Sequence, residues 1–322
     1  MVRNTTTHGQ RDLQGSENTS LGSGLGPLGR GLLGRMFGGH KGDQNPPTQQ
    51  EACSIAIASG KGGTGKSFFS TNLAVLLHQQ RRRVTLADCD FGLACSHLLM
   101  GVNPKLTSHH LLTGQATLRD VCVATPAGPT LVPGSSGIMQ LAELSDRQLL
   151  VLSQMFADLA STEDIVLMDV GAGIAPQNIL TLLAADHLIL VTQRELAALT
   201  DAYAVIKNCV RQRSDIKVSV VINRVMEEGQ GQPTFDKLAK VAARHTGIEM
   251  NFLGEIPEDP TVTQRRLGQQ PLTVTDPDGP AASAMRRIAE RLVAQAQPIG
   301  PRLVREDEGI RARFQKHRLF VT

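Results

Sequence analysis

Cys53-Ser-Ile-Ala-Ile-Ala58 runs directly into Ser59-Gly60-Lys61-Gly62-Gly63-Thr64-Gly65-Lys66-Ser67, and beyond it Phe68, Leu73, Leu76 and Leu77 recur at helical spacing as far as Gln80. The first six residues are a nearly continuous apolar run, the pattern of a strand buried on both faces. The repeat that follows is helical. The segment between them fits G-x-x-x-x-G-K-[ST] in the strand–loop–helix setting this motif requires. Glycines there let successive backbone N–H groups curl toward one point, making an anion nest at a helix N-terminus. Gly60, Lys61, Gly62, Gly63, Thr64, Gly65, Lys66, Ser67 and the adjoining Phe68 are therefore expected to bind a nucleotide. Lys66 is placed to reach the β- and γ-phosphates, and the Ser67 hydroxyl to ligate Mg2+.

The alternation continues outward from this loop. Strands are expected at Val84 to Ala87, Thr130 to Pro133, Ile165 to Met168, His187 to Thr192, Lys217 to Ile222 and Asn251 to Ile256. Helices are expected around Ser108 to Leu112, Asp146 to Ala160, Pro176 to Leu183, Ala197 to Arg213, Pro233 to His245 and 280–296. Strands alternating with helices specify an α/β fold: a doubly wound, mostly parallel sheet with helices on both faces. Ligands of such sheets sit at the C-terminal ends of the strands, which is where the phosphate loop lies.

Lys61 is superfluous for holding phosphate in its own loop; starting at the mouth, its side chain is placed to reach a phosphate bound by a neighbouring subunit. The string Lys61-Gly-Gly-Thr-Gly-Lys-Ser67 resembles the deviant phosphate loop of the MinD/ParA superfamily of dimerising ATPases, and the resemblance spans about residues 53 to 275. It implies a P-loop NTPase fold of SIMIBI type, ATP and Mg2+ as ligands, and a homodimer that sandwiches the nucleotides with Lys61 crossing to the partner's. Asp88-Cys-Asp90-Phe-Gly92-Leu93 is similar to the family's first switch. The resemblance gives Asp90 the task of orienting the attacking water, with Asp90 also near the metal, and gives Asp88 a supporting part. Asp164-Ile-Val-Leu-Met-Asp169 is a hydrophobic strand ending in an acid, and Asp169 is expected to hold Mg2+ through water. The residues after it, Val170-Gly-Ala-Gly-Ile174, look most like the flagellar-number regulators (the FlhG/FleN subgroup). Asn223 and Pro257, at the ends of later strands, resemble residues that frame the adenine.

Lone phosphate loops also occur in other enzymes. A GTPase would carry N-K-x-D where this chain has Asn223-Arg-Val-Met, and a tyrosine autokinase would carry a tyrosine-rich tail where this chain has one tyrosine in all. The five cysteines lie apart, without C-x-x-C, so neither zinc nor a redox pair is indicated. A formal charge of +3 does not demand nucleic acid. No stretch approaches the roughly 18 apolar residues of a membrane span, and no secretory signal opens the chain, so the expectation is a cytoplasmic protein.

The domain reading is a Gly-rich disordered arm over 1–50, an ATPase domain over 51–297 and a basic tail over 298–322. Within the arm Leu25, Leu28, Leu32, Leu33, Met36 and Phe37 fall on one side of a helical wheel. This makes 25–37 a candidate segment for peripheral association with an anionic membrane surface. Family members usually carry such a helix at the C-terminus, but the wheel of 309–321 is poorly segregated. The resulting expectation is a slow ATPase switch, cycling between cytoplasm and membrane with an unidentified activating protein, that sets the number or placement of a structure such as the flagellum. Its alternatives are a septum-site protein and a partition ATPase that binds DNA through Arg81-Arg82-Arg83 and Arg311 to Arg318.

Overall fold

Alternate residues of a strand face opposite sides of its sheet, and the central strands here are buried at every position and mostly apolar because both sides are covered. The computed structural model describes residues 48–135, 144–265, 268–295 and 299–318. Among them are the strands β1 (Thr48–Glu51), β2 (Cys53–Ala58), β3 (Val84–Cys89), β4 (Val123–Ala124), β5 (Thr130–Val132), β6 (Ile165–Val170), β7 (His187–Thr192), β8 (Lys217–Val225), β9 (Met250–Pro257) and β10 (Arg302–Arg305). The longer helices are α1 (Lys66–Gln79), α2 (Asp146–Thr162), α3 (Pro176–Ala184), α4 (Leu196–Gln212), α5 (Gly231–Thr246), α6 (Pro280–Gln295) and α7 (Ile310–Arg318). The main sheet has eight strands in the order β4-β5-β3-β6-β2-β7-β8-β9. All its neighbours are parallel except β4 and β5.

The alternation builds two cores. Ile55, Ile57, Leu86, Ile165 and Leu167 pack on one side with Phe69, Leu73 and Leu77 of α1 and Met285, Ile288 and Leu292 of α6. Ala56, Ala58, Val166, Met168 and Leu190 face the other side, where Phe156 of α2, Leu180 of α3, Val205 of α4 and Leu238 of α5 cover them. Local sequence fixes the helix starts. Ser145 and Gln148 form a reciprocal capping box before α2, which satisfies two N–H groups that the helix itself leaves open.

The expected α/β architecture is found, with most elements within a few residues of the expected limits. The structure differs at both edges of the domain. Thr48 to Glu51, placed mostly in the arm, pairs antiparallel with Arg302 to Arg305, placed in the tail. The tail then forms α7, whose Ile310 and Phe314 are buried in the second core, the Phe314 ring centroid lying 6.0 Å from that of Phe156. The boundaries at 51 and 297 thus cut off segments that complete the domain. Neither segment carries a readable pattern: β1 is three polar residues and Glu51, and α7 has only one apolar pair at i, i+4 among charges. Glu51 explains their order, since its buried carboxylate accepts the Ile310 N–H at 3.0 Å. The remainder of the proposed arm, including 25–37, lies outside the described residues.

Candidate nucleotide-binding site

The loop from Ser59 to Gly65 leaves β2 and enters α1 at the C-terminal edge of the sheet. Gly65 caps α1 with φ +89°, a conformation that favours glycine. A side chain there would also meet Asn223 Nδ2 at 2.2 Å, and one at Gly60 would meet the Asp201 backbone carbon at 2.2 Å. Both glycines are therefore required by close approach, and the loop is wedged between β8 and α4. The buried Thr64 hydroxyl has no partner among the described residues, a free polar group at the spot where the motif expects an anion.

Beneath the loop three polar side chains converge on one carboxylate. Lys66 Nζ lies 2.6 Å from Asp169 Oδ1, the Ser70 hydroxyl is 3.0 Å from the same oxygen, and the Ser96 hydroxyl donates to Asp169 Oδ2 at 3.1 Å. Ser67 Oγ is 3.2 Å from Lys66 Nζ. Burial alone would lower the Lys66 pKa, but the adjacent Asp169, with Asp88 and Asp90 behind it, holds it above the ordinary value. Asp88 is the partner of Asp169 in the β3–β6 register. Burial, reinforced by the Asp169 charge, pushes Asp88 up to about 7. Its two oxygens accept from the Ser96 N–H at 2.9 Å and the Asp90 N–H at 3.1 Å.

Of the three residues expected to serve the chemistry, Lys66 lies in this cluster, and Asp90 and Lys61 face elsewhere. Asp90 turns into its own loop, accepting the N–H groups of Gly92 at 3.3 Å and Leu93 at 3.0 Å. Lys61 reaches out to Glu195 on the same chain, at 2.6 Å, and this contact holds the Glu195 carboxyl below its usual range. Gly62 and Gly63 stand open to solvent at the mouth. On the far side Phe68, Asn223 and Pro257 line a cleft of about 260 Å3 with Gly65, Ile256 and Val262, a mostly apolar slot of the kind a planar base occupies. Asn223 also donates from Nδ2 to the Thr64 carbonyl at 2.7 Å, so it braces the loop as well as lining the cleft.

Ser70, Ser96, Glu195 and Asn178 belong to the site although nothing in the motifs marks them. Asn178 donates from Nδ2 to the carbonyls of Gly171 at 3.0 Å and Ala172 at 3.2 Å, holding the turn after Asp169. Only Ser70, one helical turn beyond Lys66, could have been found from spacing. For a cation the donors at hand are oxygens, from the Ser67 hydroxyl and from Asp88 and Asp169, a set that suits hard Mg2+, while the Asp90 carboxylate, also expected near the metal, is engaged by its own loop. Among the described residues no three His, Cys, Asp or Glu groups form an all-protein cage.

The family of CobQ/CobB/MinD/ParA nucleotide-binding domains matches residues 55–272. The chain is 34% identical to the antiactivator FleN of Pseudomonas aeruginosa, over 77% of this chain and 89% of that protein. It is 32% identical to the flagellum site-determining protein YlxH of Helicobacter pylori, over 76% and 82%. The Pyrococcus horikoshii septum site-determining protein MinD, solved with Mg-ADP, is 27% identical, with a TM-score of 0.63 over 76% of this chain and 98% of that one. A phosphate loop braced against paired strand-end acids, in this topology and with these relatives, places the chain in the MinD/ParA family of nucleotide-binding ATPases.

Proposed function

We propose that this chain is an ATP-driven dimerising switch that controls the number or placement of flagella. One geometric observation carries the dimer: an apolar rim surrounds the nucleotide site. Leu93 is 78% exposed, Ile174 53% and Leu196 80%; Leu93 and Ile174 lie on the loops that follow β3 and β6, and Leu196 opens α4 after β7. Two copies meeting through this rim would bury it and enclose both nucleotides. The flagellar assignment rests on the likeness to YlxH and FleN.

In the proposed cycle the loop N–H groups from Gly62 to Ser67 and the Lys66 ammonium bind the phosphates, and the base lies between Phe68, Asn223 and Pro257. Bound Mg2+ would neutralise charge on the β- and γ-phosphates, held by Ser67 and, through water, by Asp169 and Asp90. Lys61 exchanges Glu195 for the nucleotide of the partner subunit. Asp90, released from its loop N–H groups, orients the water that attacks the γ-phosphate, and ADP and phosphate are the products. Hydrolysis then separates the dimer.

Among the described residues no helix is long and apolar enough to cross a membrane. The apolar residues of α7 are spent in the core, which favours 25–37 as the segment that touches an anionic surface. A weak anchor doubled by dimerisation links nucleotide state to location. The DNA-partition alternative draws less support. Arg83 is paired with Asp164 at 2.8 Å, Arg82 donates to the Ile299 carbonyl, and Arg318 is paired with Asp146 at 3.1 Å. The test is gel filtration with light scattering in ATP and in ADP, followed by sedimentation with anionic vesicles and by counting flagella in cells lacking the protein. Dimers and vesicle pelleting specific to ATP, with altered flagellar number, are expected. ATP-independent monomers, or retardation of plain duplex DNA without vesicle binding, would overturn the reading.

A further inference from the structure

Ser96 is fully buried and is the one residue among those described that donates to both paired acids. Its backbone N–H binds Asp88 at 2.9 Å and its hydroxyl binds Asp169 at 3.1 Å. Asp88 and Asp169 are register partners on β3 and β6, so two buried acids lie side by side with this one residue, through its N–H and its hydroxyl, as a strap. Ser96 also closes the loop that starts at Asp90 and carries the exposed Leu93. Asp90 is itself tied to Asp88 through its N–H at 3.1 Å. A chain of hydrogen bonds therefore runs from Asp169, through Ser96 and Asp88, to the loop at the rim.

We propose that Ser96 is a positioning residue: its hydroxyl fixes the direction in which Asp169 presents its carboxylate to the ion site, and its N–H carries any shift of Asp169 to the loop from Asp90 to Leu93. The inference rests on the nucleotide reading above and adds to it how the site informs the surface used for association. A hydrogen-bond partner behind an ion-orienting carboxylate commonly changes ion affinity about 10–100-fold when removed. Loss of the Ser96 hydroxyl should thus act on Mg2+ without acting on the phosphate loop.

The chain contains no tryptophan, so Leu93→Trp gives a fluorescent reporter on the rim without background. In that background ADP binding is titrated with Mg2+, and in EDTA, for the Ser96 protein and for Ser96→Ala and Ser96→Thr. ADP is used so that association does not contribute. Ser96→Ala should raise the half-saturating Mg2+ concentration roughly tenfold and abolish the Mg2+-dependent change in emission, while ADP affinity in EDTA stays unchanged. Ser96→Thr, which keeps the hydroxyl, should restore both. A Ser96→Ala protein with unaltered Mg2+ dependence and emission, or a threonine variant as impaired as alanine, would overturn the proposal. Absence of ADP binding by the Ser96 protein itself would instead overturn the nucleotide reading.

Discussion

Lys66 Nζ and Asp169 Oδ1 lie 2.6 Å apart, with Lys66 7% and Asp169 1% exposed at their side chains. The lysine that a nucleotide would claim is held by the acid that would orient the ion. Charge-assisted hydrogen bonds of this kind contribute about 1.5–3 kcal/mol, and on nucleotide binding Lys66 would gain the more highly charged phosphates while the ion takes over Asp169. Lys66→Ala should weaken ATP binding by roughly 10–100-fold, measured by calorimetric titration. It should also lower the unfolding midpoint, because Asp169 and Asp88 would share a buried space without a cation.

The Lys61–Glu195 pair is of a different kind. Both side chains are substantially exposed, and such pairs contribute only about 0–1 kcal/mol. Lys61→Ala should leave folding and monomer affinity for ATP within a few-fold while removing the ATP-dependent dimer. Gel filtration with ATP decides this, and a dimer that survives the change removes Lys61 from the interface. Glu195→Ala, which releases the lysine, should raise the dimer fraction at a given ATP concentration.

Asp90→Ala should separate binding from hydrolysis. The carboxylate contacts only its own loop, so its removal leaves the phosphate loop intact. A group that orients or activates water contributes about 100-fold or more. Phosphate release should fall by that order, with ATP affinity retained and dimers accumulating, as a single-turnover assay alongside light scattering would register.

The sheet and the phosphate loop were legible because they depend on local pattern. A nearly continuous apolar run before the glycines and a helical repeat after them allow one arrangement, and the strand-end acids at 88, 90 and 169 mark the same edge. Asp88 and Asp169 are 81 residues apart in sequence, and only the β3–β6 pairing makes them neighbours. The contacts of Ser96, Glu195 and Asn178 depend on where loops from separate strands meet, which no spacing encodes. Asn223 was readable as a cleft residue but not as a brace on Thr64. The ends of the domain escaped for the opposite reason: β1 and α7 are ordered by ion pairs and caps to distant residues, with hardly any apolar periodicity of their own.

His187 makes stability depend on pH. It is buried on β7 with its Nε2 2.9 Å from the Ser219 hydroxyl. Burial, aided by the charge of Lys217 and opposed by Asp186, pushes its pKa down to about 4, against about 6.5 in an unfolded chain. Above pH 6.5 the ring is neutral in both states and its effect is flat. Between pH 6.5 and 4 only the unfolded chain takes up the proton, so stability falls as pH falls. This single group should cost about 2 kcal/mol at pH 5. Urea melts at pH 7 and pH 5 should show the loss in the native protein and a smaller one in His187→Gln; equal losses would exclude His187 as its source.

Asp186 anchors the carboxyl-terminal segment. Its carboxylate accepts the Ser54 N–H at 2.9 Å and the Ser54 hydroxyl at 2.8 Å, and it pairs with Arg313 at 2.8 Å and with Arg302. These groups are largely buried, so removing the acid leaves two guanidinium groups without their counter-ion, a loss of about 3–5 kcal/mol. Asp186→Ala should therefore lower the unfolding free energy by that amount and speed amide exchange across 302–318 more than elsewhere. Asp186 precedes β7 and lies at the opposite end of the sheet from the phosphate loop. ATP affinity of the folded variant should accordingly match that of the native chain. Weakened ATP binding at temperatures where the variant remains folded would mean that the two ends of the sheet are coupled, whereas unchanged exchange over 302–318 would mean that β1 and the α7 core contacts hold the segment without the ion cluster.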